Sequence, residues 1–405
     1  MQHPHDSVLA QKDFALFITA RIATTIGFQT QAVAVGWRMY AITGSALYLG
    51  LVGLAQFLPM FILTLPVGHF ADRYDRRRIA GLCQFVECLA TAYLAWPGSS
   101  ESMSSGGLLV VIALVGAARA FEGPSMQALM PSLVDTEHFP KAAAWSASAT
   151  QLASIAGPAL GGLLYAFGTP FAFGAASLLY LVSAVLVSLV GKRQSSSRRE
   201  PVTVKSLFAG IEFIRTRPAI LGAISMDLFA VLLGGATALL PIYAKDILKT
   251  GSMGLGALRS APAVGALVAS LVLARRPLRR AIGMKMFAAV TAFGLATILF
   301  ALSRSFGLSL FALIMLGAAD VVSVVVRQSL VQLWTPDEMR GRVSAVNSMF
   351  IGTSNQLGEF ESGLTAAWFG TVPAAVVGGI GTLVVVALWI RLFPQLARTD
   401  TLDGI

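Results

Sequence analysis

The chain has 405 residues, of which 56% are hydrophobic and only 12% charged, and its formal net charge is +10. A soluble domain carries about 25% charged residues, so this composition excludes a soluble enzyme and makes lipid the solvent for much of the protein surface. The basic residues lie in blocks between apolar runs rather than on one face of a domain, which argues against nucleic acid as a partner.

Apolar runs of about 18–25 residues recur along the sequence, and each is long enough to cross a bilayer core as a helix. The first run, near Phe14, has no signal-peptide cleavage pattern and is predicted to remain as a membrane helix. The sequence therefore predicts an all-α membrane protein with twelve transmembrane helices. The predicted spans are 14–40, 45–70, 79–97, 107–126, 142–167, 170–191, 219–244, 255–274, 286–303, 307–334, 343–370 and 371–393.

The basic residues also predict the orientation of these spans. With the N-terminus in the cytoplasm, most lysines and arginines outside the spans fall on the cytoplasmic side, as the positive-inside rule requires. The exceptions are Arg38, Lys245, Lys249 and Arg304. We therefore expect a monomeric multi-pass protein of the bacterial inner membrane, surrounded by lipid, with both termini in the cytoplasm.

A polar, basic and serine-rich segment at 191–201 divides the chain near its middle. Residues 1–191 are predicted to form an N-terminal six-helix half and residues 218–405 a C-terminal six-helix half. Residues 192–217 are predicted to be a basic cytoplasmic linker that ends in a short helix on the membrane surface.

The two predicted halves repeat each other. A shift of 201 positions places Gly116 on Gly317 and Gly162 on Gly363, without a gap. Parallel repeats joined by a cytoplasmic linker are typical of transporters whose substrate site lies between the repeats.

The loop after the second predicted span carries a recognisable pattern. The residues that match G-x-x-x-D-R-x-G-R-R are Gly68, Asp72, Arg73, Arg76 and Arg77. This pattern resembles the signature loop of the major facilitator superfamily, although Asp75 stands where a glycine is usual. The resemblance implies a gating contact between Asp72 and a cation at the start of the eleventh helix, where this chain has Arg340 and Arg342. A loop that only sets topology would explain the arginines but not the glycine–aspartate spacing.

Two further motifs resemble the same superfamily. In the fourth span, Val115-x-x-x-Arg119-x-x-Glu122-Gly123 is similar to L-x-x-x-R-x-x-Q-G, whose arginine is linked to proton coupling in the family. The fifth span has a G-P-x-x-G-G pattern that is found chiefly in antiporters; its residues are Gly157, Pro158, Gly161 and Gly162. A glycine-rich span on its own more often reflects close helix packing, but beside the other motifs it favours an antiporter.

Ionisable residues within the spans are candidate functional groups. Those on spans one, four, seven and ten, which line the central cavity in the superfamily, are Arg21, Arg119, Glu122, Asp227 and Asp320. Further charges within the spans are Glu87, Arg327, Glu359 and Glu361. Some of these groups could instead form fixed ion pairs that hold helices together.

The repeat suggests how the charges work. Positions 119 and 320 are equivalent and of opposite sign, so Arg119 and Asp320 are expected to face each other across the cavity. Protonation of Asp320, Glu122 or Asp227 would then release the arginine to hold an anionic substrate.

Segments of the second half, at 227–235, 335–343 and 358–363, resemble the branch of the superfamily that includes the bacterial enterobactin exporter. The resemblance implies a proton-coupled antiporter that exports a small organic molecule, such as a siderophore, by alternating access. Two alternatives remain open: a broad multidrug efflux pump for lipophilic compounds, and a non-transporting membrane scaffold or lipid-handling protein. The sequence has no catalytic constellation, metal-ligand cluster or nucleotide-binding loop, so we expect no enzymatic activity, and no cofactor beside the proton gradient.

Overall fold

The computed structural model describes residues 8–96, 103–135, 137–191, 204–276, 278 and 280–401. Of the described residues, 89% are helical and none lies in a strand. The all-α prediction is therefore confirmed.

Six long helices precede the linker. They are α1 (Lys12–Thr43), α2 (Ala46–Arg73), α3 (Arg76–Ala95), α4 (Ser105–Leu129), α5 (Phe139–Ala166) and α6 (Thr169–Leu189). After the linker come α7 (Val204–Arg215), α8 (Pro218–Leu233), α9 (Gly251–Arg275), α10 (Ile282–Leu302), α11 (Phe306–Leu333), α12 (Asp337–Phe369), α13 (Thr371–Leu392) and α14 (Pro394–Ala397). The short helix predicted after the linker is α7, whereas residues 192–203 of the predicted linker lie outside the described residues.

Local sequence explains where several helices begin. The Ser104 side chain accepts a hydrogen bond from the Gly107 amide at 3.2 Å and so caps α4, which satisfies one of the free donors of the first turn. Prolines occupy the first turns of α5, α6 and α8, where a missing amide proton costs nothing. Gly168 and Gly370, which precede α6 and α13, have φ of 127° and 90°, a region that favours glycine.

The seventh predicted span, 219–244, is interrupted in the structure. The helix α8 ends at Leu233, and the chain continues through a 3₁₀ turn (Ala236–Leu239) and a π-helical turn (Tyr243–Ile247). The break falls at Gly234 and Gly235, where an added Cβ would lie 2.6 Å from a Phe293 ring carbon and from the Gly358 carbonyl oxygen, respectively. Close packing at these two glycines accompanies the end of the helix.

Within the described residues, eight segments are long and apolar enough to cross a membrane. They are Ala46–Leu63, Ser105–Ser132, Thr169–Leu189, Pro218–Ile247, Gly251–Arg275, Ile282–Leu302, Phe306–Leu333 and Thr371–Leu392. The other four predicted spans fall on α1, α3, α5 and α12, which have 32, 20, 28 and 33 residues but are more polar. The structure therefore supports several membrane-spanning helices, and the count of twelve stays a prediction.

The chain forms two compact units. The first contains Met1–Ile42, Ala55–Pro201 and Gly251–Ser260, and the second contains Thr43–Leu54, Val202–Thr250 and Ala261–Ile405. One apolar core of the first unit joins α1, α3, α4 and α6, through residues such as Phe17, Ala80, Met126 and Val187. A core of the second unit joins α8, α10, α11 and α13, the helices that correspond to these four in the sequence repeat. The same packing scheme thus occurs in both units.

Helix α3 has its polar face inside and its apolar face outside. Gln84, Glu87 and Thr91, which are spaced three and four positions apart, have no exposed surface. Leu82, Phe85, Leu89 and Tyr93 lie on the other side of the helix and are 45–65% exposed. This pattern is the reverse of that of a water-soluble helix. It suits a helix whose apolar face contacts lipid and whose polar face points into the protein interior.

Candidate functional site

Glu122 of α4 is the centre of a buried polar cluster in the first unit. Thr24 of α1 and Gln84 of α3 donate hydrogen bonds to its Oε1, at 2.9 and 3.0 Å. The Arg119 guanidinium, one turn earlier on α4, lies 3.6 Å from Oε2. Glu122 is only 4% exposed, and three nearby polar groups stabilise a buried carboxylate that would otherwise be unfavourable.

Arg119 is less enclosed than its partner. Its side chain is 29% exposed, and the guanidinium lies 3.7 Å from the centroid of the Phe28 ring, a cation–π contact between α4 and α1. The second arginine of this unit, Arg21, donates from Nε to the Thr150 hydroxyl at 3.1 Å, which links α1 to α5. Both arginines thus make their described contacts within the first unit.

Glu87 of α3 lies near the same cluster but, unlike Glu122, lacks hydrogen-bond partners among the described residues. It has no exposed surface, and neither carboxylate oxygen has a hydrogen-bond partner among the described residues. Its electrostatic neighbours are Glu122 and Arg119.

In the second unit, Asp227 of α8 and Arg327 of α11 form a buried ion pair, with side chains 6% and 2% exposed. Asp320 lies two turns before Arg327 on α11 and is partly buried. It lines a small cavity together with Asp227, Val290, Phe293 and Ser323. This cavity is therefore lined by two carboxyl groups, one of which is paired with Arg327.

The observed ion pairs among these charges were not predicted. Arg119 pairs with Glu122, and Asp227 pairs with Arg327. Arg21 donates to Thr150, whereas Asp320 lines a cavity beside Asp227. The expected approach of Arg119 to Asp320 stays a prediction. Sequence reasoning missed the Asp227–Arg327 pair, whose members are 100 positions apart, and gave no signal for the contribution of Gln84.

The signature loop connects the ends of several helices. Gly68, Asp72 and Arg73 are among residues whose side chains the structure does not describe, so the predicted contact of Asp72 lies outside the described residues. Arg76 donates to the Ala128 carbonyl at the end of α4 at 3.1 Å, and Arg77 donates to the Val190 carbonyl that follows α6.

Asp75, which replaces the usual glycine of this loop, has a structural role. Its side chain accepts from the Arg77 amide at 3.1 Å, which caps α3, and forms an ion pair with the Arg77 guanidinium at 2.7 Å. The hydrogen bond from Arg77 lowers the pKa of the Asp75 carboxyl below its usual range.

The two arginines predicted as partners of the loop lie in the first turns of α12. Arg340 donates from Nε to the Gln332 carbonyl at 2.9 Å, and Arg342 lies 3.7 Å from the Met339 sulfur. Both therefore have contacts near the junction of α11 and α12.

The G-P-x-x-G-G motif lies where helices of the first unit cross. A Cβ added at Gly161 would lie 2.9 Å from the Thr30 Cα of α1, and the Thr30 hydroxyl donates to the Gly157 carbonyl at 3.1 Å. A Cβ at Gly162 would lie 2.9 Å from the Gly256 Cα of α9. Conversely, a Cβ at Gly256 would lie 2.5 Å from the carbonyl oxygen of the buried Pro158. The motif therefore permits close approach of backbones on two sides of α5.

The remaining predicted charges lie on α12. A Cβ added at Gly53 of α2 would lie 2.9 Å from Glu359 Oε2, so the carboxylate packs directly against that glycine. Glu361 accepts a hydrogen bond from Thr365 at 2.8 Å. Among the described residues, no group of three or more His, Cys, Asp or Glu side chains is suited to hold a metal ion.

Solved transporter structures share this fold. The nucleoside transporter NupG has a TM-score of 0.72 at 14% identity and covers 94% of this chain and 100% of its own. A bacterial homologue of the iron transporter ferroportin, in an inward-facing state, has a TM-score of 0.72 at 18% identity and covers 97% and 100%. These likenesses show that the helices of the chain share the fold of multi-pass membrane transporters.

A family model described as "Transmembrane secretion effector" matches residues 6–404, and the chain belongs to this family of the major facilitator superfamily. The enterobactin exporters EntS of Escherichia coli O81 and Shigella boydii serotype 18 are each 25% identical over 397 residues, which are 95% of this chain and 92% of theirs. The resemblance predicted from the motifs is thereby confirmed. A non-transporting scaffold is not supported, because the relatives are transporters.

Proposed function

We propose that the chain exports a small organic molecule, such as a siderophore, in exchange for protons by alternating access. Its energy source is the proton gradient, its twelve helices form two six-helix halves, and it works as a monomer with both termini in the cytoplasm. The similarity to enterobactin exporters supports export of a siderophore. The position of Asp320 beside the Asp227–Arg327 pair is the observation that supports proton coupling.

Asp320 is the proton carrier in this proposal. Arg327 is already neutralised by Asp227, and the described residues include no ion pair for Asp320. A second ionised carboxylate in this small, largely apolar cavity would be unfavourable, and protonation removes that cost. Because Asp320 is only partly buried, protons can reach it while the neighbouring pair stays intact.

Arg119 binds the substrate in this proposal. Its guanidinium is partly exposed and lies against the Phe28 ring, so an anionic or catechol-bearing compound can approach it and stack beside an aromatic group. Protonation of Glu122 would free the arginine for this contact.

The gating and antiporter motifs complete the mechanism. We assign Asp72 to the contact with Arg340 or Arg342 that stabilises one of the alternating states. The glycines where α5 crosses α1 and α9 leave no side chain between the helix backbones. This close packing supports a role of α5 in helix movement between the alternating states.

The test is enterobactin transport by the full-length protein in proteoliposomes with an imposed pH gradient. Asp320→Asn should abolish gradient-driven accumulation but retain exchange of labelled for unlabelled enterobactin, because the neutral side chain mimics the protonated state. Asp135→Asn, at an exposed loop position, is the control and should transport as the wild type does. Full gradient-driven transport by Asp320→Asn would refute the assignment.

A broad efflux pump for lipophilic cations is the second candidate. The observation in its favour is the cavity with Asp227 and Asp320 among Val231, Val290 and Phe293, which offers carboxylates within an apolar wall. Gradient-driven movement of ethidium, without movement of enterobactin in the same proteoliposomes, would establish this alternative.

A further inference from the structure

Two carboxyl groups in the first unit, Glu87 and Glu122, lie near one buried polar cluster, and of the two only Glu122 forms an ion pair with a described residue. Glu87 has no exposed surface and its two oxygens accept no hydrogen bond from the described residues. Gln84, one turn earlier on the same face of α3, donates to Glu122 at 3.0 Å, and Arg119 lies 3.6 Å from that carboxylate. Both acids therefore border the same buried cluster.

The surroundings of the two acids differ. Glu122 accepts two hydrogen bonds and lies beside a guanidinium, so its carboxyl oxygens have three polar partners. Glu87 has no such contact, and an isolated ionised carboxylate in an apolar interior is strongly unfavourable, so such a group takes up a proton instead. The balance of contacts therefore assigns the cation to Glu122 and leaves Glu87, which has no contact with a described cation, as the neutral group.

Other titratable groups near Glu87 do not change this balance. Tyr180 of α6 and Cys83 of α3 are its remaining electrostatic neighbours, and both side-chain types are ordinarily neutral near pH 7. Arg21 of α1 has Glu122 as its electrostatic partner and is not among the electrostatic neighbours of Glu87.

We propose that Glu87 and Glu122 form a second proton-binding site, in which they share one proton opposite Arg119. Glu87 holds the proton while Glu122 pairs with the arginine, and an exchange of partners moves the proton from α3 to α4. This site is separate from Asp320, which belongs to the second unit. A role of the shared proton in export rests on the proposed function, whereas the protonation of Glu87 does not.

Infrared spectroscopy of the purified full-length protein at neutral pH tests the site without a substrate. A protonated carboxyl group that makes no hydrogen bond gives a carbonyl-stretch band at the high-frequency end of the carboxylic-acid region. We expect this band in the wild type and its loss in Glu87→Gln. We also expect its loss in Glu122→Gln, because Arg119 then lacks a partner and draws Glu87 into an ion pair.

Thr91→Val is the matched control, since Thr91 is a fully buried residue one turn further along the same face of α3. It should keep the band, as should Asp320→Asn. If Glu87→Gln does not fold, Glu87→Asp provides the second variant, in which the band should shift rather than disappear.

Three results would overturn the proposal: a wild-type spectrum without the band, an unchanged band in Glu87→Gln, or an unchanged band in Glu122→Gln. Loss of the wild-type band on replacing potassium chloride by sodium chloride would overturn it as well, because it would show that the site takes up sodium instead of a proton. Absence of enterobactin transport alongside the expected spectra would reject the proposed substrate and leave the proton site standing.

Discussion

At the scale of single residues, Asp75 shows how a departure from a family motif acquires a structural role. The aspartate caps α3 through the Arg77 amide and pairs with the Arg77 side chain. Arg77 in turn donates to the Val190 carbonyl at the end of α6. A glycine at position 75 could supply neither contact with Arg77. Asp75 thus helps to hold the arginine that connects the start of α3 to the end of α6.

Asp75→Ala should loosen the first turn of α3. Loss of an N-cap costs about 1 kcal/mol, so amide hydrogen exchange over residues 76–80 should quicken by about fivefold. Asp135→Asn, an exposed loop variant, should leave that exchange unchanged. Because the pKa of folded Asp75 is lowered, its contribution is fully present above about pH 4 and is lost as the pH falls through the folded pKa. On acidification, the exchange protection of residues 76–80 in the wild type should therefore fall towards that in Asp75→Ala. Equal protection of the wild type and the variant at every pH would contradict this role of Asp75.

The candidate charges themselves were predictable, but their pairing was not. Any ionisable residue in an apolar run stands out, and Arg119, Asp227 and Arg327 were found in that way. Their partners depend on which helices lie side by side and how each is rotated about its axis. The pair of Asp227 and Arg327 joins helices far apart in the sequence, and no local pattern encodes that contact.

At the scale of helices, the crossing of α5 and α9 is made by two glycines. A Cβ at Gly162 would lie 2.9 Å from the Gly256 Cα. Side-chain hydrogen bonds accompany this approach, since Ser260 of α9 donates to the Ile155 carbonyl of α5 at 2.7 Å. The contact thus depends on the absence of a side chain at one particular position.

Gly162→Leu should therefore separate these helices and destabilise the protein. Overpacking of a close contact costs about 1–3 kcal/mol, which should appear as a lower midpoint of thermal unfolding in detergent. Gly174→Leu is the matched control, because a Cβ at Gly174 of α6 has no neighbour within 4 Å, and its midpoint should stay near that of the wild type. Equal midpoints for the two variants would show that the crossing tolerates a side chain.

The helices were predictable from the sequence to within a few residues in most cases. The predicted span 371–393 corresponds to α13, Thr371–Leu392, because an apolar run between a glycine turn and polar residues fixes both ends. The break after Leu233 was missed, since an apolar run with two adjacent glycines is compatible with a continuous or an interrupted helix. Tertiary packing against Phe293 and Gly358 accompanies the break.

At the scale of the whole molecule, exposed aromatic residues mark the ends of three long helices. Tyr93 and Trp96 lie at the end of α3, Phe167 follows α5, and Trp368 and Phe369 end α12; all are 57–70% exposed. These three helices run from the cytoplasm outward in the predicted topology. Aromatic side chains are enriched at both membrane–water interfaces, so the three helix ends are expected to lie at an interface, and the predicted topology makes it the outer one.

Labelling of introduced cysteines tests this orientation. Ser305, between α10 and α11, is predicted to lie outside, and Asp135, between α4 and α5, inside; both are exposed. A membrane-impermeant maleimide should label Ser305→Cys in intact spheroplasts, but Asp135→Cys only after the membrane is disrupted. The native Cys83 and Cys88 are free and buried, so the unsubstituted chain should give little background. Since both positions are exposed on the protein, a difference in their labelling can only come from the membrane. Labelling of Asp135→Cys in intact spheroplasts would contradict the proposed topology.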